Sequence, residues 1–374
     1  MLRITNLEVE RSGEATVVSA LLDDYRLFFK LPPDMGYSSA GDAFLAAAFF
    51  PAMLSGRDIS VCDSIEISSR FLAGLPQLQT VFSCWYPKLQ RVQVFADNVS
   101  AADRAPSNPG VASFFSGGID GLYTVLKHKP TITDLVFING FDFEMPPEDF
   151  DQAIARNRIL ADKLGCRLVC VETNFWAYMN ELKINRPMNH GSCLASIGQI
   201  LGYETVYVPS TYSYNNLHAW GSHPLTDHLW STEVTQFIHD GAEAERTEKT
   251  EKLARSDPSL FEQLVVCWRD PNENCGECSK CQRTMACLKI LGVDAPSFPY
   301  EITLRELKRI WIIPGDKSYW EDNIALAEQC DRPDIASAIR QSLFRFRLRQ
   351  VKNFLIGLLT PKKRSPEPIP QASA

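Results

Sequence analysis

The sequence predicts an α/β protein: a doubly wound parallel sheet, an N-terminal α+β domain before it and a C-terminal helical extension after it. Three observations carry that prediction. Four short apolar runs, Val111–Phe115, Leu135–Asn139, Arg167–Glu172 and Thr205–Pro209, recur with helical patterns between them. Strands apolar on both faces belong in a parallel sheet covered on both sides, joined by right-handed crossovers. The first run ends in Ser116-Gly117-Gly118, and a helical pattern starts directly at Ile119. The overall balance, 45% hydrophobic and 22% charged, is ordinary for a globular chain.

The 374 residues suffice for two or three domains of roughly 150 residues each. The expected boundaries are 1–105 for the N-terminal domain, 109–295 for the sheet domain, 300–360 for the helical segment and 361–374 for a disordered tail. Residues 1–33 alternate in polarity, with turn signals at Ser12-Gly13 and Asp23-Asp24, and predict a three-stranded meander. Ser38 to Gly41 opens an apolar helix running through Leu54, and Phe71–Leu78 and Val92–Ala96 add further elements. No catalytic constellation stands here; the segment reads as a substrate-gating or homodimerisation module. Ser100 to Gly110, rich in Ala, Ser, Pro and Asp, is the expected linker.

Beyond it, helices are expected over Glu148–Leu164, stopped by Gly165, and over Leu194–Leu201, closed by Gly202. Ligands of such sheets sit past the carboxyl ends of the strands. Ser116 to Asp120, Gly140 to Phe143, Thr173-Asn174 and Ser210 to Tyr214 all fall there. Strand, glycine turn, helix is a layout for holding an anion, because glycines admit close backbone approach and the first helical N–H groups point outward. The backbone from Ser116 through Gly117, Gly118 and Ile119 to Gly121 would form the cradle. Asp120 adds a carboxylate suited to Mg²⁺ bridged to phosphates. The Walker Lys-Ser/Thr is absent, and the glycine spacing is not the dinucleotide fingerprint. An adenine ring is expected along Asn139 to Asp142.

A long polar and aromatic loop, Ser210 to Glu233, follows the fourth strand. It holds Tyr212, Tyr214, His218, Trp220, His223, Asp227, His228 and Trp230. Together these are expected to line a substrate cleft, with Asp227 as a catalytic candidate; zinc on His218, His223 and His228 is the lesser alternative. The helix expected over Glu243–Arg255 carries mostly solvated charges, with Lys249 set apart as a catalytic candidate. Cys267, Cys275, Cys278 and Cys281 follow at spacings of 8, 3 and 3. Four thiolates in one short run can close a tetrahedral Zn²⁺ site with Zn–S near roughly 2.3 Å, structural in kind because no position is left open. Eleven cysteines in all, in a chain without an apolar signal core, fit metal and thiol use in the cytoplasm over a disulfide framework.

The run Ser116-Gly117-Gly118-Ile119-Asp120 resembles the pyrophosphate loop of N-type ATP pyrophosphatases, S-G-G-x-D-S, with Gly121 where the family has Ser. With the four-cysteine run it resembles 7-cyano-7-deazaguanine synthase and its relatives, which belong to queuosine biosynthesis, over about residues 111 to 290. The family's Lys-x-Glu has its counterpart in Lys249-Thr250-Glu251. Its Asp-Cys segment is replaced by the long loop containing Asp227. The resemblance implies the adenine-nucleotide α-hydrolase fold, ATP with Mg²⁺, and a structural zinc. It implies a ligase in which a small carboxylate or deazapurine-type substrate attacks the α-phosphorus and ammonia then displaces AMP. Ser116, Gly117 and Gly118 would hold the leaving pyrophosphate, and Lys249 and Arg283 would offset its charge.

Two other readings stay open. One is a sulfur transferase of the same fold acting on RNA, with Cys193 as persulfide carrier and a sulfur donor in place of ammonia. The other is a non-catalytic ATP-binding or interaction protein, motivated by Gly121. A formal charge of −7 disfavours wholesale nucleic-acid binding, yet eight Lys/Arg and no acids lie between Arg340 and Arg364. No apolar run is long enough to span a membrane. Short helices are expected over Thr303–Ile313 and Trp320–Cys330 and a longer one over Ile335–Leu359. In the last, Phe344, Leu348, Val351, Leu355 and Leu358 form a stripe expected to dock on the body, with an acidic partner, nucleic acid or an anionic surface as the alternative.

Overall fold

A computed structural model describes residues 1–38, 41–101, 105–141 and 144–359, with side chains through 355. The adenine-side residues Asp142 and Phe143 and the tail 361–374 lie outside the described residues. The strands are β1 (Leu2–Arg11), β2 (Thr16–Leu22), β3 (Tyr25–Leu31), β4 (Ile59–Val61), β5 (Ile67–Ser68), β6 (Val94–Phe95) and β7 (Val99–Ser100), then β8 (Asn108–Phe114), β9 (Asp134–Asn139), β10 (Arg167–Thr173), β11 (Tyr203–Pro209) and β12 (Gln236–Asp240). The helices are α1 (Asp42–Ser55), α2 (Ser69–Trp85), α3 (Ile119–Lys127), α4 (Pro147–Leu164), α5 (Phe175–Glu181), α6 (Arg186–Leu201), α7 (Arg246–Ser256), α8 (Ser279–Leu291), α9 (Leu304–Leu307), α10 (Lys317–Gln329) and α11 (Pro333–Leu359).

Ten strands form one sheet in the order β12-β11-β8-β9-β10-β3-β2-β1-β4-β6. The five around β8 are all parallel. The chain builds outward from β8 through β9 and β10, then crosses to β11 and β12 on its other side. β8 is therefore the point where strand order reverses, and a crevice opens beyond its carboxyl end.

The sheet does not stop at the N-terminal segment. β1 to β3 form the expected meander, and β3 pairs antiparallel with β10 through Lys30–Glu172 and Phe29–Thr173. The Asn174 side chain secures this joint, accepting from Phe28 N at 3.0 Å and donating to the Arg26 carbonyl at 2.8 Å. Thr173-Asn174, a strand end expected near the ligand, is thus occupied by β3. Asn108 closes a second joint, exchanging two bonds of 2.9 Å with Gly36. It also opens β8, so the expected linker ends three residues early.

Each face of the sheet buries a large apolar core, and a small third cluster gathers Phe137, Met145, Phe150 and Ala153. On one side Phe44, Phe49, Phe71 and Phe82 of α1 and α2 pack with Val136, Val169, Ile197 and Trp230. That core runs without a break under both the N-terminal and the parallel strands. On the other, Ile119, Leu135, Leu160, Leu253, Leu288 and Trp320 meet under α3, α4, α7, α8 and α10. Alternation explains the split: Leu135 and Val136 are sequence neighbours in β9 and point to opposite faces.

Several local expectations shift. β12 was not legible, since four of the six residues in Thr-Gln-Phe-Ile-His-Asp are polar; it sits at the sheet edge, where that composition is tolerated. α6 starts eight residues earlier than expected, at Arg186 with Pro187 in its first turn, because tertiary burial overrides the weak propensity of Asn-His-Gly-Ser. The helix expected over Thr303–Ile313 is only the short α9.

The expected docking of the C-terminal stripe is overturned. Phe344, Leu348, Val351 and Leu355 are all more than half exposed, while Ile335, Ile339, Leu343 and Phe346 face the body. The Leu358 side chain lies outside the described ones.

Candidate functional site

The glycine turn is built as its residue types require. Gly117 has φ +76°, and a Cβ there would fall 2.6 Å from Asn157 Oδ1 on α4. Both conformation and space therefore demand glycine. Gly118 caps α3 with extended backbone, φ −90° and ψ 170°. Ser116, Gly118 and Gly121 face a cleft of about 530 Å³. The first N–H groups of α3 lack helical partners and point into it.

Asp120, in the first turn of α3, is gripped from α7. Arg246 Nη1 stands 2.6 Å from Oδ2 and Lys249 Nζ 3.2 Å from Oδ1. Lys249 is fully buried and also donates to the Ser210 carbonyl at 2.6 Å. Burial works against ionisation of Asp120, but Arg246, Lys249 and Lys280 outweigh it and hold the carboxyl below its usual range. α7 is positioned by a capping box, Glu245 with Glu248, and it presents Arg246, Lys249 and Thr250 inward. The expectation that its charges are mostly solvated fails at Arg246, which sequence reading passed over.

The cleft is strongly cationic. Arg156, Arg186, Arg246 and Lys280 line it, against Asp120 as the one carboxylate among its lining residues. Burial, together with Arg246 and Arg283, pushes the Lys280 amine down to about 8. Burial likewise lowers Arg156 to about 10, and its Nε has no partner among the described residues. His190 also lines the cleft with its Nδ1 unpartnered, and burial drives its pKa down to about 3. The opposite wall is apolar: Phe137, Ile138, Phe141 and Met145. Asn139 braces that wall by exchanging two hydrogen bonds with Met145, so its side chain is already committed.

Four expected site residues stand elsewhere; Lys249, expected to offset pyrophosphate charge, is buried behind Asp120 and does not line the cleft. Arg283 is buried against Asp316 at 3.1 Å and stacks 3.7 Å over Tyr319. It does not line the cleft; Lys280, one turn earlier on α8, takes that place. Asp227 is buried behind the cleft, accepting from Ser222 Oγ at 2.7 Å and His223 N at 3.0 Å, with His239 Nδ1 at 2.7 Å. None of these partners lines the cleft. Cys193, on α6, is buried in the core.

Nor does the long loop line the cleft beyond Thr211. Trp230 is core, His228 is exposed, and His223 packs edge-on to Trp85 with centroids 4.9 Å apart. The three histidines form no ligand cluster among the described residues. The loop does enclose a void of about 10 Å³, lined by His190, Thr211, Trp220, His223 and His239. His239 Nε2 is buried there without a partner. His190, Pro209 and Thr211 border both void and cleft.

Cys267, Cys275, Cys278 and Cys281 bring their sulfurs within 4.8 Å of one another. Backbone N–H groups point at three of them: Arg269 N at Cys267 and Cys278 N at Cys275, both 3.3 Å, and Cys281 N at Cys278, 3.5 Å. Such bonds favour thiolates. Gly276 turns the knuckle at φ +70°, where a Cβ would meet Tyr300 at 2.8 Å. The group can hold a metal ion, and its donor set suits zinc. Cys267 and Trp268 also border the cleft, so the knuckle fixes one rim of it.

Fold and site together define an α/β protein with a cation-lined cleft at a glycine turn and a tetra-cysteine metal knuckle beside it. Comparison with known proteins gives no match to a family, a curated protein or a solved structure.

Proposed function

We propose that the chain is an ATP-dependent, AMP- and pyrophosphate-forming ligase acting on a small carboxylate or deazapurine-type acid. One observation carries this: Asp120, Arg246 and Lys280 meet over a glycine turn and free helix N–H groups, facing an open cleft. Four cations against one carboxylate select a polyanion. The turn suits the β and γ phosphates, and the apolar wall of Phe137, Phe141 and Met145 suits the adenine.

In this reading a substrate carboxylate oxygen bonds to the α-phosphorus as the bond to the bridging oxygen breaks. Pyrophosphate leaves onto the Gly117–Gly118 turn, where Arg246 and Lys280 stabilise its charge. Ammonia then bonds to the acyl carbon, AMP departs, and the nitrogen loses a proton. His239, oriented by Asp227 through Nδ1, presents Nε2 to a void that fits one ammonia or water. In this reading it would accept that proton. Asp120 is the residue that would hold Mg²⁺, whose chemistry is to neutralise phosphate charge. The cysteine knuckle is read as a structural zinc site.

Equilibrium dialysis with labelled ATP and Mg²⁺ tests the first half, and release of AMP with ammonium and a panel of carboxylic acids tests the second. Saturable binding and AMP release, both lost in Asp120→Asn, are expected. Indifference to ATP at about 1 mM, where binding is worth only about −4 kcal/mol, would sink the reading. ATP binding without AMP from any acid would leave an ATP-binding protein in its place.

A further inference from the structure

The last helix is apolar on two opposite sides. Ile335, Ile339 and Phe346, with the buried Ser342 between the last two, are spaced four, three and four and face the body. Phe344, Leu348, Val351 and Leu355, at the same spacing, follow nine residues later, about 180° around the helix. At Phe344 and Leu348 that second stripe points away from the protein, and from Gln350 to Leu355 every residue is exposed, so the helix stands clear of the body there. With Phe354 beside it, five large apolar side chains are each more than half exposed over about 17 Å of helix. A helix apolar on both sides is normally covered on both, and a contiguous exposed stripe of this kind marks an interaction surface.

Charge indicates what covers it. From Arg340 to Arg364 there are eight basic residues and no acid, although the whole chain carries −7. Arg340 and Arg347 pair with Glu328 and Glu321 of α10. Arg345 and Lys352 make no ion pair among the described residues and border one edge of the stripe. On that edge Arg349 lies 3.6 Å over the ring of Trp311, itself 70% exposed. Basic residues flanking an apolar stripe, with a tryptophan at the margin, are the composition of a helix lying in an anionic bilayer surface. No helix of the described residues is long and apolar enough to cross a membrane, so the helix would lie on the surface. A second copy of α11 would bring like charges against this edge. Nucleic acid would leave the aliphatic Leu348, Val351 and Leu355 without partners. A bilayer accommodates both features.

We propose that α11 docks the protein on membranes containing anionic phospholipid, with Phe344, Leu348, Val351 and Leu355 entering the headgroup layer and Arg345 and Lys352 meeting phosphates. The remaining acidic body would face away, fixing the orientation. This inference is independent of the chemistry in the cleft.

The test is sedimentation of the full chain with vesicles of phosphatidylcholine alone and of phosphatidylcholine with phosphatidylserine. Binding should rise about tenfold with phosphatidylserine and fall with added salt. Leu348→Asp with Leu355→Asp should abolish it. Arg345→Glu with Lys352→Glu should remove the lipid preference. All four positions are exposed, so folding should be intact by circular dichroism. No pelleting, or equal pelleting with both vesicles, overturns the proposal. So does a concentration-dependent dimer broken by Leu348→Asp, which assigns the stripe to a second copy. Binding to RNA that competes with the vesicles and is lost in the Glu variants overturns it as well.

Discussion

Lys249 Nζ lies 3.2 Å from Asp120 Oδ1, and the lysine is only 1% exposed. The two come from helices 129 residues apart, so the contact couples the glycine turn to α7. Breaking a buried pair strands the remaining charge, typically at about 3–5 kcal/mol. Asp120→Asn, which leaves the buried Lys249 without its carboxylate, should therefore destabilise the protein by that order in urea unfolding, and Lys249→Met by less, because Arg246 still holds Asp120 at 2.6 Å. The two changes together should cost less than their sum, because the lysine stranded by Asp120→Asn is then gone.

Gly117→Ala should fold less stably by about 1–3 kcal/mol, from the positive φ and the contact with Asn157, and should lose ATP binding. Gly121→Ser is the counterpart. Its Cβ would approach Phe115 Cδ2 at 3.2 Å, tight but against a ring that can shift. The expected outcome is a folded protein with a penalty of about 1 kcal/mol or less. If restoring the hydroxyl raises AMP release, the motif departure tunes rate; unfolding of this variant would show that the ring cannot give.

Lys280, lowered to about 8, predicts the pH profile of ATP affinity. Phosphate favours the protonated amine, so affinity should weaken as pH rises through about 8 and above. Lys280→Met should bind weakly at neutral pH and lose that slope. Isothermal titration between pH 6.5 and 9.5, an interval chosen to bracket that value, reads both.

Asp322 is pushed up to about 7 by burial and by Glu245, Glu321 and Glu248, and its Oδ2 has no partner among the described residues. The folded state then holds a proton that the unfolded state releases near pH 4. Stability present below about 4 is therefore lost as pH rises through about 7. Asp322→Asn should flatten that slope and stabilise the protein at neutral pH by on the order of 2 kcal/mol, after allowing for residual solvent contact. Urea midpoints across pH 4 to 8 decide it.

One zinc per chain should be found by elemental analysis and lost in Cys281→Ser. Zinc knuckles bind with about 10–16 kcal/mol in peptides, comparable to a whole domain's stability. Chelation should loosen the chain around Cys267 to Cys281 and expose it to proteolysis. Because Cys267 and Trp268 border the cleft, it should also weaken ATP binding. A zinc-free protein of unchanged stability would show that the thiols are not a metal site.

Much of this architecture was legible in the chain. The glycine turn and the cysteine knuckle each complete their chemistry within about fifteen residues, so their composition and spacing are sufficient signals. Four of the five parallel strands, β8 to β11, were legible because burial on both faces leaves a largely apolar run; β12, at the sheet edge, was not. The cationic lining was not. Arg156, Arg186, Arg246 and Lys280 come from four helices and look like ordinary surface charges one at a time. Arg246 had one signal, its place one turn before Lys249; Lys280 had another, its place beside a metal-ligand cysteine. Sequence favours Arg283 in its stead, and only the rotation of α8 separates them.

The sequence by itself determined which short segments can bend around an anion or a metal, because covalent neighbours and backbone conformation decide that locally. The tertiary structure alone decided which charges face the cleft and which side of the last helix faces water. The two stripes of α11 share the same spacing and similar apolarity, so no periodicity distinguishes them. Packing against α9 and α10 chose one, and left the other to the solvent.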